Sequence, residues 1–164
     1  MNKDGHVLNA VLLGIGLGYI LQPAGNLETF RTVVEVTIPI TLGALFPDVD
    51  TAFGKHRKTL HNLPVLGLFL AFPPVFGNLQ FVWIGILTHY VLDLLGSKRG
   101  LALLYPWDRE FSVPFGVSTS SPYANVVMLA ITGFELLVAG LLVFYGPQYL
   151  PRTAIEQALA VVGL

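Results

Sequence analysis

In the segment LTHYVLDLL, His89 and Asp93 stand four residues apart. On a helix that spacing stacks the two side chains on one face, where they could grip a single cation together, although an ordinary hydrogen-bonded pair has the same pattern. Asp93 also falls near the end of its helix, where the macrodipole disfavours negative charge. A cation there would relieve that cost. The segment GALFPDVD delivers two further carboxylates, Asp48 and Asp50, directly after the helix-stopping Pro47. Paired acids in such a turn suit hard or borderline cations, and a polar turn at a membrane surface is the plainer alternative. GKHRKTLHNLP is the densest stretch. Its imidazoles, His56 and His61, are five apart, too wide for neighbours on a regular helix but suitable across a loop-to-helix junction. Lys55, Arg57 and Lys58 could bind an anion, phosphate most naturally, or simply follow the preference of positive charge for the cytoplasmic side. Thr59 and Asn62 are candidates to support the ligands by hydrogen bonding. His6, in KDGHVLNAVLL, reads either as an interfacial residue at a helix start or as a fourth imidazole supported by Asn9.

Four imidazoles and three carboxylates without a thiolate form a nitrogen and oxygen donor set: His6, Asp48, Asp50, His56, His61, His89 and Asp93. Such a set suits zinc, with manganese or iron as further options. Seven donors exceed the needs of one tetrahedral ion, so either two ions bind or some of the seven act as base or outer support.

The elements that must position these residues are strongly apolar. The chain has 164 residues, of which 54% are hydrophobic and 12% charged, with a mean hydropathy of +0.68. A soluble domain carries about 25% charged residues, so the composition points to a membrane protein. A net charge of -1 argues against a nucleic-acid partner, and no cysteine is present for disulfide, thiolate or nucleophile chemistry. Apolar blocks run over 7–21, about 32–46, 63–76, 79–95 and 123–145, with Pro73 and Pro74 expected to stop or kink the third. We read the first as a retained helix and not a removed signal peptide. The prediction is an all-α integral-membrane bundle of about five spans forming a single domain over 1–164, with four spans plus a re-entrant hairpin as the alternative. A short helix on the membrane is expected after Pro151.

With the N-terminus inside, Lys3, Lys55, Arg57, Lys58, Lys98, Arg99 and Arg109 fall on the cytoplasmic side and only Arg31 and Arg152 outside. Seven against two supports that orientation in a multi-pass inner or plasma membrane protein. The same topology puts all four histidines, together with Asp48, Asp50 and Asp93, at the cytoplasmic end.

The successive segments DGH, GALFPDVD, HRKTLHN and GILTHYVLDLLGSKRGLALLYPW, covering most of positions 4–115, resemble the motifs of the membrane-bound metal-dependent hydrolases, whose bacterial members include a LexA-regulated inner-membrane protein. The resemblance implies a helical membrane protein with distant kinship to zinc-dependent phospholipase C and the P1-type nucleases. It also implies His6, Asp48, His61, His89 and Asp93 as ligands, with Asp50 and His56 close behind. Typical members end the middle motif Thr-His-Ser, where this chain has Leu60, His61 and Asn62.

The expected activity is metal-dependent hydrolysis of a phosphoester, phospholipid-like substrate at the inner face. Asp50 or Asp48 would accept a proton, and Arg57 or Lys58 would steady developing charge. The competing class is a non-catalytic metal-binding or cation-transporting protein. Glu35 and Glu135, inside spans two and five, would favour transport if they met each other and the ligand cluster along one path.

Overall fold

The computed structural model describes residues 2–114, 116–118 and 121–149. Five α-helices follow one another: α1 (Lys3–Leu21), α2 (Leu27–Leu45), α3 (Leu63–Phe76), α4 (Val82–Leu95) and α5 (Ala124–Tyr149), with a 3₁₀ turn over Pro47–Ala52. The protein is the all-helical membrane bundle that the composition predicts. By length and apolarity, Lys3–Leu21, Leu27–Ala52 and Ala124–Tyr149 can cross a membrane. Helices α3 and α4 have 14 residues each. At 1.5 Å per residue each rises about 21 Å, about two thirds of the roughly 30 Å hydrocarbon core, so by length they are closer to the re-entrant alternative than to two full spans. The tail beyond Pro151 lies outside the described residues.

Local chemistry explains where the boundaries differ from the apolar blocks. The Asn2 side chain accepts from the Gly5 N–H and starts α1 at Lys3, so His6 lies within the first turn instead of before the helix. Asn26 and Thr29 form a reciprocal cap that starts α2 at Leu27, well ahead of the apolar run. Pro73 and Pro74 are accommodated in the last turn of α3, which ends at Gly77 in the left-handed conformation, φ 66°.

Small residues set the helix crossings. A Cβ on Gly14 or Gly18 of α1 would lie 2.6 Å from the Thr37 or Val33 backbone of α2, so this i, i+4 glycine pair lets the two helices pack backbone to backbone. The core of Ala10, Leu13, Leu17, Val36, Ile40 and Ala44 fills that interface. Gly43 of α2 meets Gly85 of α4 in a second close crossing, where a Cβ on Gly85 would strike the Ile40 carbonyl oxygen. Outward, α5 shows Phe134, Leu137, Leu141, Leu142 and Phe144, a surface suited to lipid and not to water.

Candidate metal centre

The alternation of helix directions brings the first turn of α1, the exit of α2, the entry of α3 and the exit of α4 to one end of the bundle. All seven candidate ligands lie there. His61 and His89 are fully buried, and Asp93 is 3% exposed. The His61 and His89 Nε2 atoms are 3.1 Å apart. Asp48 Oδ1 lies 3.8 and 3.6 Å from them, and Asp93 Oδ2 lies 3.8 Å from each.

The outer nitrogens of both rings decide what those inner atoms can do. His89 Nδ1 donates to the Ala44 carbonyl at 2.7 Å, and His61 Nδ1 donates to Asp50 Oδ2 at 3.0 Å. Pro47 has no N–H to offer the last turn of α2, and the Ala44 carbonyl at this helix exit is taken by the imidazole. The Gly43–Gly85 crossing makes this reach possible, one residue and one turn away. With the proton of each ring fixed on Nδ1, both Nε2 atoms present lone pairs to each other and to two carboxylate oxygens. The two facing Nε2 lone pairs have no hydrogen to share, and a cation between them would be met by both and by the two carboxylate oxygens, of which Asp93 Oδ2 also accepts from Arg57 Nε. The five separations, 3.1–3.8 Å, bracket the roughly 3.3 Å edge of a tetrahedron with zinc-ligand bonds of about 2.0–2.1 Å. Burial pushes the His61 imidazole below its ordinary pKa, against the pull of Asp50, which favours the neutral form that binds metal.

Around this point the remaining candidates take different places. His6 stacks on His89, with ring centroids 3.8 Å apart, and its Nε2 is 3.3 Å from Asp93 Oδ1. His6 Nδ1 is buried without a hydrogen-bond partner. Two separate triads could each hold an ion: His6, His89 and Asp93, and Asp48, His56 and His61. Asp50 is fully buried and stands behind the ligands, accepting from His61 Nδ1, from His56 Nδ1 at 3.1 Å and from the Leu60 N–H at 3.3 Å. Its oxygens orient imidazoles, which does not match the proton acceptor expected of it.

The two basic residues expected to meet an anion are already engaged. Arg57 is buried and makes a paired contact with Asp93, Nε to Oδ2 at 3.0 Å and Nη2 to Oδ1 at 2.8 Å, while Nη2 also donates to the Asp93 carbonyl and to Ser97 Oγ. Its backbone sits at φ 67°, in the left-handed region, which costs about 1–2 kcal/mol for a residue with a side chain. The loop holds this conformation partly through the Arg57 carbonyl, which accepts from the Ala102 N–H. Lys58 reaches Glu110 at 3.1 Å and Asp108 at 3.3 Å, and those carboxylates, Glu110 first, raise its pKa. The Lys58 partners lie in the segment after α4, pinned by the Leu101–Phe111 bridge. Asn62 and Thr59 shape the loop instead of touching ligands: Asn62 donates to the Lys58 and Thr59 carbonyls and caps α3, and Thr59 Oγ1 accepts from the Lys55 N–H.

A cavity of about 550 Å³, lined by Lys3, Leu45, Asp48, Val49, Thr51 and His56, adjoins the cluster. Asp48 and His56 are the cluster members that reach it, with side chains 26% and 37% exposed. Lys3 is a cavity residue that sequence reasoning missed, although its place one turn before His6 on the same face of α1 was a usable signal. Asn9 does not support His6. It bonds instead to Thr132, Thr88 and Glu135, further from the bundle end. Glu35 is exposed on α2 and does not meet Glu135.

Fold and centre together define a helical membrane protein with a buried histidine and aspartate cluster at one end of its bundle. The chain belongs to the YdjM inner membrane protein family, whose model matches residues 1–162. No curated protein and no solved structure matches it.

Proposed function

We propose that this protein is a metal-dependent hydrolase of the inner membrane, acting on phosphoester, phospholipid-like substrates at the cytoplasmic face. The observation that carries the reading is the facing pair of Nε2 lone pairs on His61 and His89, 3.1 Å apart and closed off by Asp48 and Asp93. The site brings three carboxylates against one buried guanidinium, an excess of negative charge that favours a cation. His61, His89, Asp48 and Asp93 would hold the ion, with His6 and His56 at hand for a second. Zinc fits the donors best, with manganese or iron as alternatives. Bound there, a divalent ion supplies Lewis acidity and lowers the pKa of a coordinated water.

The chain's own residues do the rest. Asp50 and the Ala44 carbonyl hold the imidazoles in the metal-binding tautomer, and Arg57 clamps Asp93. Asp48, on the cavity wall, is the carboxylate placed to take a proton from an entering water, in preference to the enclosed Asp50. Lys3, on the same wall, supplies the positive charge an anionic substrate meets on entry. The apolar Leu45 and Val49 beside it suit a lipid. The separation of Glu35 from Glu135 supports hydrolysis over cation transport, because among the described residues no chain of acids runs through the bundle to the cluster.

The multi-pass topology, with a cytoplasmic N-terminus, belongs to the same reading. Tags at the N-terminus and in the 97–122 loop should be protected in intact cells and a C-terminal tag accessible. The activity is tested on purified, detergent-solubilised protein loaded with zinc or manganese and offered a panel of phospholipids and generic phosphodiesters. Metal-dependent turnover is the expected result. Metal-loaded protein that hydrolyses none of the panel, yet moves cations in liposomes, would replace the hydrolase with a transporter.

A further inference from the structure

Midway along α5, away from the metal centre, Glu135 enters a small polar network between α1, α4 and α5. Asn9 Nδ2 lies 2.8 Å from Thr132 Oγ1 and 3.2 Å from Glu135 Oε2. Thr88 Oγ1 lies 2.8 Å from Asn9 Oδ1 and 2.6 Å from Glu135 Oε1, and Thr132 Oγ1 donates to the Met128 carbonyl at 2.9 Å. These are five polar contacts. The amide and the two hydroxyls supply four hydrogens.

The shortfall is local and can be placed. Thr88 has one hydroxyl hydrogen but touches two oxygens, and both would be pure acceptors if Glu135 were ionised. Turning the Asn9 amide over does not help. Its nitrogen would then satisfy Thr88, but its oxygen would face Glu135 Oε2 with no hydrogen between them. In either orientation the fifth hydrogen must come from the carboxyl group. Charge leads to the same place: among the described residues no cation pairs with Glu135, and an unpaired carboxylate within a spanning helix is costly where a neutral acid is not.

We infer that Glu135 is a membrane-embedded proton site, carrying its carboxyl hydrogen at neutral pH and donating it to Thr88 Oγ1 so that Asn9, Thr88 and Thr132 are satisfied together. The proton thereby staples α5 to the two helices that bear His6 and His89, since Asn9 lies one turn after His6 and Thr88 directly precedes His89. Glu135 acts as a positioning residue. Its protonation does not depend on the hydrolase reading.

Infrared spectroscopy of the purified protein in lipid or detergent at neutral pH tests this. A protonated-carboxyl carbonyl band, well separated from the amide bands and shifted in heavy water, should be present. It should diminish in E135Q and be unchanged in E35Q. A glutamine amide can donate to Thr88 while its oxygen accepts from Asn9, so E135Q should unfold at the wild-type temperature in detergent while E135A unfolds lower. The inference is overturned if the band is absent or survives E135Q intact. It is equally overturned if E135Q is destabilised as much as E135A, since an ionised Glu135 would be mimicked by neither.

Discussion

The imidazoles of His61 and His89 face each other through their Nε2 atoms at 3.1 Å, each with its own proton held on the far nitrogen by Asp50 or by the Ala44 carbonyl. Two neutral imidazoles in that relation repel through their lone pairs and form no hydrogen bond, so the arrangement is stable where a cation lies between them. On the proposed reading, removing either ring should therefore abolish metal binding without unfolding the bundle, whose helices are held by backbone bonds and packing. His61→Ala and His89→Ala are each expected to lose bound zinc by elemental analysis and keep wild-type helical content by circular dichroism. Asp50→Asn should weaken zinc binding by about 10–100-fold, as loss of a group that orients a ligand does. Metal content unchanged in both histidine variants would remove the centre.

Arg57 and Asp93 form a buried ion pair at the histidine- and aspartate-bearing end of the bundle, with side chains 7% and 4% exposed. In the metal-free protein, truncating Arg57 takes the paired guanidinium contact from a buried carboxylate, and breaking a buried pair of this kind costs about 3–5 kcal/mol. Arg57→Ala should thus lower the unfolding midpoint in detergent sharply, and Arg57→Lys should restore only part of it, because an ammonium cannot reproduce the paired contact. A midpoint within error of wild type for Arg57→Ala would mean the pair is not formed.

The crossing of α2 and α4 rests on Gly43 and Gly85, where an added Cβ would strike backbone atoms that cannot rotate away. Gly85→Ala should destabilise by about 1–3 kcal/mol and weaken metal binding, since separating the helices pulls His89 from the Ala44 carbonyl. Gly67 on α3 has no atom within 4 Å of a built Cβ. Gly67→Ala should be neutral or slightly stabilising, by about 0.5–1 kcal/mol from helix propensity. Equal effects from the two substitutions would contradict the close crossing.

Much of this architecture could be read from residue order, and what could not has a common physical cause. The four-residue spacing of His89 and Asp93 and the carboxylates after Pro47 reveal themselves locally, because helix periodicity and a helix stop are properties of neighbouring residues. The cluster at one end follows from counting apolar blocks. Partners brought in from afar do not show: Arg57 meets Asp93 across 36 positions and Lys58 meets Asp108 across 50. Their positive charges therefore read as free for an anion when they are already paired. Asn9 and Glu135, 126 positions apart, were each noticed but not joined. The third apolar block coincides with α3, whereas the 14-residue length of α4 was obscured because the flanking apolar Leu79 and Phe81 extend the hydrophobic block while adopting φ 58° and 67° outside the helix.

With Arg57 and Lys58 occupied, Lys3 is the positive side chain that lines the cavity beside the cluster, and on the proposed reading an anionic substrate would meet it on entry. It shares that wall with Asp48 and His56, the cluster members that reach the cavity, and with the apolar Leu45 and Val49. A contact of this kind binds substrate and transition state alike, so its loss should appear in KM with little change in kcat. For a solvent-accessible charge the expected change is modest, and Lys3→Ala should raise KM for an anionic phosphoester roughly three- to ten-fold, more at low ionic strength than at high. Lys58→Ala should leave KM near the wild-type value, because its ammonium is directed to Glu110 and Asp108. The pattern reversed, with KM raised by Lys58→Ala and indifferent to Lys3→Ala, would place substrate entry on the loop side of the centre and return the anion-binding role to the segment following His56.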